Sequence, residues 1–214
     1  MVTQAKTLNN DFQDIITGRR SIRYYDPSVK ISREEMKEIL TEATLAPSSV
    51  NAQPWRFLVI DSPEGKETLA PLAKFNQSQV ETSAAVIAIF GDLKSEENLD
   101  EIYDKAVELG YMPQEIRDMQ IPKIKAHYAA ASEELNKETV LIDGGLVSMQ
   151  LMLAARAHGY DTNAIGGYEK DKIAEAFGLD KERYAPVMLL SIGKAANSGY
   201  PSVRLPIEKV AQFR

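Results

Sequence analysis

The chain has 214 residues, of which 44% are hydrophobic and 26% charged, so it is long and apolar enough to bury a core. Its net charge of −6 disfavours binding to nucleic acid or to an anionic membrane surface. The lack of cysteine excludes disulfides and thiolate chemistry and fits a cytoplasmic location. The two histidines form no paired motif, so we predict no metal site. We expect neither a signal peptide nor a membrane-spanning helix, because no unbroken apolar run approaches about 18 residues.

Helix and strand signals alternate along the first ninety residues. Apolar spacing predicts a helix over 12–18, and a capping box followed by a periodic apolar face predicts a second helix from 32 to a proline at 47. A β-prone run predicts a strand at 57–60, and a serine–proline pair at 62–63 opens the next helix. The continuous apolar run at 84–90 predicts a strand that is buried on both faces.

The middle of the chain separates into a charged part and an apolar part. Residues 93–136 are the most charged, and we expect a helical excursion outside the main core, with new helices beginning at Pro113 and Pro122. The segment 138–159 has almost no polar face. A helix of this kind is either a central core helix or a subunit interface.

Two more strand signals follow, at 161–165 and 184–192, with a helix signal between them. The tail over 195–214 is too apolar for a free end and too rich in proline for a helix. We expect it to lie along another surface, for which a second subunit is one candidate. The alternation of strands and helices predicts an α/β or α+β fold, with helices on both faces of a sheet.

Three arginines and a serine follow the first predicted helix within five residues: Arg19, Arg20, Ser21 and Arg23. Such planar donors suit a phosphate or a carboxylate. The alternative is a solvated basic turn. Ile22 lies among the arginines and favours an extended segment with one buried side and one polar side.

Hydroxyl and amide side chains fill the loop before the first predicted strand. Pro47 is followed by Ser48, Ser49, Asn51 and Gln53, and the loop ends at the only tryptophan of the chain. This composition indicates a rigid surface that hydrogen-bonds a flat, polar molecule. An ordinary capped turn is an equally good interpretation of these residues alone.

The whole chain resembles the bacterial nitroreductase family of flavin mononucleotide (FMN) oxidoreductases. The resemblance rests on five landmarks that occur in order: Arg19-Arg20-Ser21-Ile22-Arg23, the loop at 46–55, Asn76 with Gln79, Ile165-Gly166-Gly167-Tyr168, and Arg204-Leu205-Pro206. It implies a single domain over 1–214 with an α/β (α+β) nitroreductase-like fold, in which helices flank a central mixed sheet. It also implies an intertwined homodimer with flavin sites at the interface. The extension at 195–214 would reach the partner subunit.

The resemblance also implies which residues bind FMN. The residues at the phosphate would be Arg19, Ser21 and Arg204. The residues at the ribityl chain and the pyrimidine edge of the ring would be Arg20, Arg23 and Asn76. The residues contributed by the partner chain would be Pro47, Ser48, Ser49 and Asn51. The backbone at the reactive ring atoms would come from Ile165, Gly166 and Gly167.

The sequence departs from many relatives at three of these places. Gly166 stands where many relatives carry an acidic residue, and Gln79 and Ser202 stand where some carry lysine. Gln79 is therefore a predicted cofactor contact that lacks the positive charge of lysine. Lys194, just after the last predicted strand, is a candidate to replace the missing cation.

The implied activity is the reduction of nitroaromatic, quinone or similar acceptors by NAD(P)H, with both substrates using one open pocket in turn. No side chain is predicted to be catalytic, because the flavin carries the chemistry. Four excursion residues are candidates to line the pocket, although packing roles are an alternative for each: Tyr103, Tyr111, His127 and Tyr128. A non-catalytic flavin sensor or storage protein is the alternative function. A phosphate-binding module without flavin is a third.

Overall fold

A four-stranded sheet forms the centre of the computed structural model, which describes residues 8–214. Its strands are β1 (Trp55–Ile60), β2 (Ala85–Asp92), β3 (Asp161–Ile165) and β4 (Tyr184–Gly193). They lie in the order β1-β2-β4-β3, and every neighbouring pair is antiparallel. All eight residues of β2 are buried, as the unbroken apolar run predicts. Because the order is β1-β2-β4-β3, strands β1 and β3 are the two edges of the sheet.

Nine α-helices surround the sheet in the described part of the chain. They are α1 (Phe12–Gly18), α2 (Arg33–Ala43), α3 (Pro63–Leu69), α4 (Gln77–Thr82), α5 (Leu99–Glu108), α6 (Gln114–Ala130), α7 (Glu133–Ala157), α8 (Lys170–Ala176) and α9 (Ile207–Val210). The predicted N-caps are confirmed at two helices. The Ser32 side chain accepts a hydrogen bond from the Glu35 N–H, and Ser62 accepts one from the Gly65 N–H.

The helices cover both faces of the sheet, as predicted. On one face α2 and α7 bury a cluster that includes Ile39, Val147 and Leu151 against the strands. On the other face α3, α4 and α8 bury a second cluster, in which Leu69 and Ile173 are fully enclosed. Each helix thus buries its apolar side on the sheet, which is the main source of stability in a layered fold.

The central sheet differs from the mixed sheet that the resemblance implies. The four strands are antiparallel throughout. Within residues 8–214, parallel pairing is confined to one isolated bridge between Ser21 and Thr162 of β3. The segment that follows α1 therefore lies along the free edge of β3.

Three helix boundaries differ from the sequence prediction. Helix α2 ends at Ala43, before Pro47, and its last turn unwinds through Thr44. Helix α6 continues through Pro122, because buried Ile121 anchors that turn to α5 and compensates for the missing backbone hydrogen bond. The tail forms the short helix α9 despite its prolines.

Helix α7 presents two different apolar faces. Val147 and Leu151 are fully buried on the sheet side, whereas Ile142, Leu146 and Met149 are 65%, 44% and 41% exposed. Within residues 8–214, α7 is the one helix whose length and apolarity would suffice to cross a membrane. Its packing against α2 and the sheet identifies it as a core helix. Its outer face has no cover among residues 8–214.

Two adjacent glycines of α7 have different surroundings. A Cβ at Gly144 would lie 2.6 Å from Val187 Cγ2, whereas a Cβ at Gly145 would have no atom within 4 Å. Gly144 is therefore in close contact with Val187 of β4. This glycine allows α7 to approach β4 closely.

Replacement of these glycines gives a matched pair of predictions. Gly144→Ala should lower the free energy of unfolding by about 1–3 kcal/mol, because its methyl group overpacks against Val187. If no second chain packs at Gly145, Gly145→Ala should raise it by about 0.5–1 kcal/mol, because alanine favours the helix. Urea denaturation at one fixed protein concentration measures both. A destabilised Gly145→Ala variant would instead indicate a second chain packed at that position.

Candidate functional site

The arginine segment after α1 lies against the free edge of β3. The Ile22 N–H donates to the Thr162 carbonyl at 3.1 Å, and Ser21 forms the parallel bridge to the same residue. Ile22 and Tyr25 are 1% and 2% exposed. These anchors hold the segment extended and leave the polar side chains between them outside the core. The extended arrangement expected from Ile22 is therefore present.

The individual arginines differ in their contacts. Arg20 Nη1 donates to the carbonyl oxygens of Thr17 and Arg19 at 2.7 and 2.9 Å. This guanidinium therefore satisfies carbonyls at the end of α1, where a cation is also favourable to the helix dipole. Arg19 is half-buried, whereas Ser21 and Arg23 are exposed.

A second part of the predicted site adjoins the end of β3. Asn76 Nδ2 donates to the Gly167 carbonyl at 3.0 Å, and Gln79 Nε2 donates to Asn76 Oδ1 at 3.2 Å. Gly166 and Gly167 are exposed, and a Cβ at Gly166 would have no atom within 4 Å. The structure thus brings the Asn76 and Gly166-Gly167 landmarks into contact beside open space.

The two parts are linked through α4 and β4. The Tyr25 N–H donates to Thr82 Oγ1 at the end of α4, at 3.1 Å. The Asp26 N–H donates to the Lys194 carbonyl at 2.8 Å, just after β4. The Lys194 ammonium donates to the Gly159 carbonyl at 3.1 Å. We call the combined surface of 19–23, 76–79 and 165–167 the β3-edge surface.

The loop at 47–53 makes its polar contacts elsewhere. The Ser49 N–H donates to both carboxylate oxygens of Asp143 at 3.1 Å. The Tyr103 hydroxyl donates to the Val50 carbonyl at 3.2 Å, and Asn98 Nδ2 donates to the Ala52 carbonyl at 3.0 Å. These contacts run to α7 and to the excursion. The tryptophan that ends the loop is buried in the core, so it is not part of an open recognition surface.

The backbone of this loop is strained. Val50, Asn51 and Gln53 have φ angles of 46°, 55° and 49°, in the left-handed region. A β-branched residue such as Val50 pays the highest steric cost there. The surrounding contacts must therefore hold the loop in this conformation.

The four predicted pocket residues fall into two pairs. Tyr103 is 8% exposed and contacts the loop directly, and Tyr128 lies beside Ser95 and Ser49. Burial raises the pKa of the Tyr128 hydroxyl, and the nearby Asp143 charge adds to that effect. Tyr111 is 80% exposed, and exposed His127 makes an edge contact with Tyr128. Only the first pair thus adjoins the loop in the described contacts.

Arg204 lies in the exposed tail. Its Nη1 donates to Ser202 Oγ at 2.7 Å. The tail begins beside the β3-edge surface, because a Cβ at Gly199 would lie 2.9 Å from Ile22 Cδ1 and 3.1 Å from Arg20 Cβ. Beyond this point Tyr200, Val203 and other apolar side chains of the tail are exposed.

Sequence reasoning missed Asp143. It is 4% exposed in the middle of α7, within the most apolar stretch of the chain. Burial raises the pKa of its carboxyl, and the hydrogen bond from Ser49 opposes that effect. One acidic residue in an otherwise apolar helical run was the available signal.

The sequence model described as "Nitroreductase family" matches residues 16–194, which is well over half of the chain. The chain belongs to the nitroreductase family. The five sequence landmarks thus led to the correct family. The match spans the segment after α1, the loop, the excursion and all four strands.

This chain is similar to several known proteins over nearly its whole length. It is 71% identical to YdgI of Bacillus subtilis, provisionally named an NAD(P)H nitroreductase, over 96% of this chain and 98% of that protein. It is 38% identical to the CLA biosynthesis enone reductase of Lactiplantibacillus plantarum, over 96% and 95% of the two chains. A provisionally assigned nitroreductase of Exiguobacterium sibiricum, solved in complex with FMN, has 68% identity and a TM-score of 0.95, and covers 98% of this chain and 100% of its own.

The strained loop at 47–53 gives a stability prediction. Val50→Asn should raise the free energy of unfolding by about 1 kcal/mol, because asparagine tolerates a positive φ better than a β-branched residue. Val50→Ile keeps the branch and should leave stability unchanged. Urea denaturation of both variants tests this. Equal stability of the asparagine variant and the parent would contradict the inferred strain.

Proposed function

We propose that this chain is an FMN-dependent oxidoreductase that uses NAD(P)H to reduce nitroaromatic, quinone or similar acceptors. The observation that carries the proposal is the β3-edge surface, where arginines, a pair of amides and two exposed glycines lie along strand β3. Membership of the family and the FMN complex of the Exiguobacterium sibiricum relative support it.

The described residues fit a flavin nucleotide. Guanidinium groups and the Ser21 hydroxyl are donors that suit a phosphate. Amide side chains suit the alternating donors and acceptors of a flavin ring edge. The absence of a side chain at Gly166 leaves room for a flat ring to approach the backbone.

The proposed contacts follow the family pattern. Those at the phosphate are Arg19, Ser21 and Arg204. Those along the ribityl chain and the ring edge are Arg20, Arg23, Asn76 and Gln79. Those at the reactive side of the ring are the backbone groups of Ile165, Gly166 and Gly167, and Lys194 supplies a cation near this surface.

We further propose a homodimer in which the partner chain supplies Pro47, Ser48, Ser49 and Asn51. The loop's described polar contacts run to Asp143, Tyr103 and Asn98, which supports a role at a second site. The exposed apolar face of α7 and the exposed apolar tail are surfaces that a second copy would cover. The proposal treats 1–214 as one domain, with the excursion at 93–136 and the extension at 195–214 at the dimer sites, in the cytoplasm.

In this mechanism the protein binds and orients, and no side chain acts as acid or base. FMN supplies the hydride and electron transfer that no amino-acid side chain performs. Cations at the ring edge would stabilise negative charge that develops there. Backbone N–H groups at Gly166 and Gly167 would position the ring. Tyr103 and Tyr128 would shape the pocket that donor and acceptor enter in turn.

Conjugated ketones are a second candidate class of acceptor. The Lactiplantibacillus plantarum enone reductase shares 38% identity, and its structure has a TM-score of 0.89 over 96% of this chain. An enone accepts a hydride at carbon, so it suits the same pocket and the same reduced cofactor. Turnover of an enone and of a quinone under identical conditions would rank the two classes.

The visible spectrum of the purified protein tests the function. We expect oxidised-flavin absorbance, release of FMN identified by mass, bleaching on addition of NADH or NADPH, and recovery when a quinone is added. A flavin band that never bleaches would support the storage alternative. Colourless protein that takes up no added FMN would contradict both.

Arg204→Ala tests the proposed phosphate contact. A charge-assisted hydrogen bond contributes about 1.5–3 kcal/mol of binding free energy, so its loss should raise the Kd for FMN by about 10- to 150-fold. Arg214→Ala removes another exposed arginine of the tail and should leave the Kd unchanged. FMN titration of both variants, followed by fluorescence, measures the effect. An unchanged Kd for Arg204→Ala would remove this residue from the site.

A further inference from the structure

Asp143 is a buried charge that receives its hydrogen bonds from the loop. Its side chain is 4% exposed, and both carboxylate oxygens accept the Ser49 N–H at 3.1 Å. No arginine, lysine or histidine within residues 8–214 forms an ion pair with it. A buried carboxylate with only a backbone partner is costly for folding.

Helix α7 holds this carboxylate in a fixed position. The neighbouring Gly144 packs directly against Val187 of β4, so the helix cannot move closer to the sheet at this point. The loop is different, because its left-handed residues Val50 and Asn51 oppose its own conformation. A rigid acceptor therefore meets a strained donor segment.

Other contacts converge on the same turn. The Tyr103 hydroxyl donates to the Val50 carbonyl. The Tyr128 hydroxyl lies near Ser49, and burial and the Asp143 charge both raise its pKa. The loop, helix α7 and the excursion thus meet around one carboxylate. A change at Asp143 would reach the proposed flavin cover and one side of the proposed pocket together.

We propose that Asp143 is a positioning residue, whose carboxylate fixes the strained Ser48–Asn51 turn in the conformation that covers the flavin of the partner subunit. The role in covering the flavin rests on the proposed function, whereas the role in fixing the turn does not. Asp143 touches no substrate in this proposal and acts through the loop.

Hydrogen exchange of the holoprotein tests the structural part. In Asp143→Asn, which retains the shape but loses the charge, exchange of a peptide spanning 47–53 should be about fivefold faster, because a neutral acceptor binds the Ser49 N–H more weakly. Asp143→Leu should give an increase of about tenfold or more. The thermal midpoint of Asp143→Asn should not fall, since burial of its charge is no longer required.

Ser148→Ala is the matched control. Ser148 is a fully buried polar residue of the same helix, and its hydroxyl donates within α7 to the Gly144 carbonyl at 2.6 Å. It should leave exchange of the loop unchanged. Unchanged loop exchange in both Asp143 variants would overturn the proposal. Faster exchange throughout the chain together with a lower thermal midpoint would also overturn it, because it would indicate a general structural role.

The rate of FMN release tests the functional part. If the turn covers the flavin, release from Asp143→Asn holoprotein should be about fivefold faster than from the parent or from Ser148→Ala. FMN release at the parent rate, together with faster loop exchange, would contradict the proposal that the turn covers the flavin. If the parent binds no FMN, the proposed function fails, and the same exchange experiment on the FMN-free protein decides whether Asp143 fixes the turn.

Discussion

Helix α7 lies directly on the sheet because Gly144 has no side chain, and a Cβ there would lie 2.6 Å from Val187. Much of the structure depends on this close approach. It encloses the core between α2, α7 and the strands, and it turns a second apolar face, with Ile142 and Met149, away from the sheet. It also sets the depth at which Asp143 is buried. One small residue thus affects the core, the proposed dimer surface and the loop anchor.

The strand order places the candidate site. Because β3 is an edge strand, its outer side is free to pair with the segment after α1, and that pairing brings the arginines beside Thr162. The same strand ends at Gly166 and Gly167, where Asn76 meets the turn. Cationic donors and open backbone therefore lie along one strand, which supports the proposal that a molecule with a phosphate at one end and a flat ring at the other binds there.

The two buried aspartates in the described part of the chain, Asp92 and Asp143, illustrate two uses of charge. Asp92 is fully buried, and it is neutralised by Arg183 at 2.9 Å and Arg56 at 3.0 Å, an ion-pair network that joins β1, β2 and the start of β4. Asp143 receives only the Ser49 N–H among its described hydrogen bonds, and burial raises the pKa of its carboxyl. The first arrangement satisfies its charges. The second leaves a buried carboxylate whose burial is unfavourable for folding, and we propose that it is retained because it positions the loop.

Local signals in the sequence determined the capped helices, the buried strand β2 and the extended arginine segment, because capping, apolar runs and alternation act between near neighbours. The family followed from the resemblance that the five sequence landmarks carry. They misplaced the end of α2 and divided α6 at Pro122, since only tertiary packing of Ile121 shows what compensates for a proline. The hydrogen bond from Asn76 to Gly167 joins residues 91 positions apart, and the one from Ser49 to Asp143 joins residues 94 positions apart. Strand order likewise joins distant parts of the chain. Such distant contacts depend on how the layers pack, so only the tertiary structure decided them.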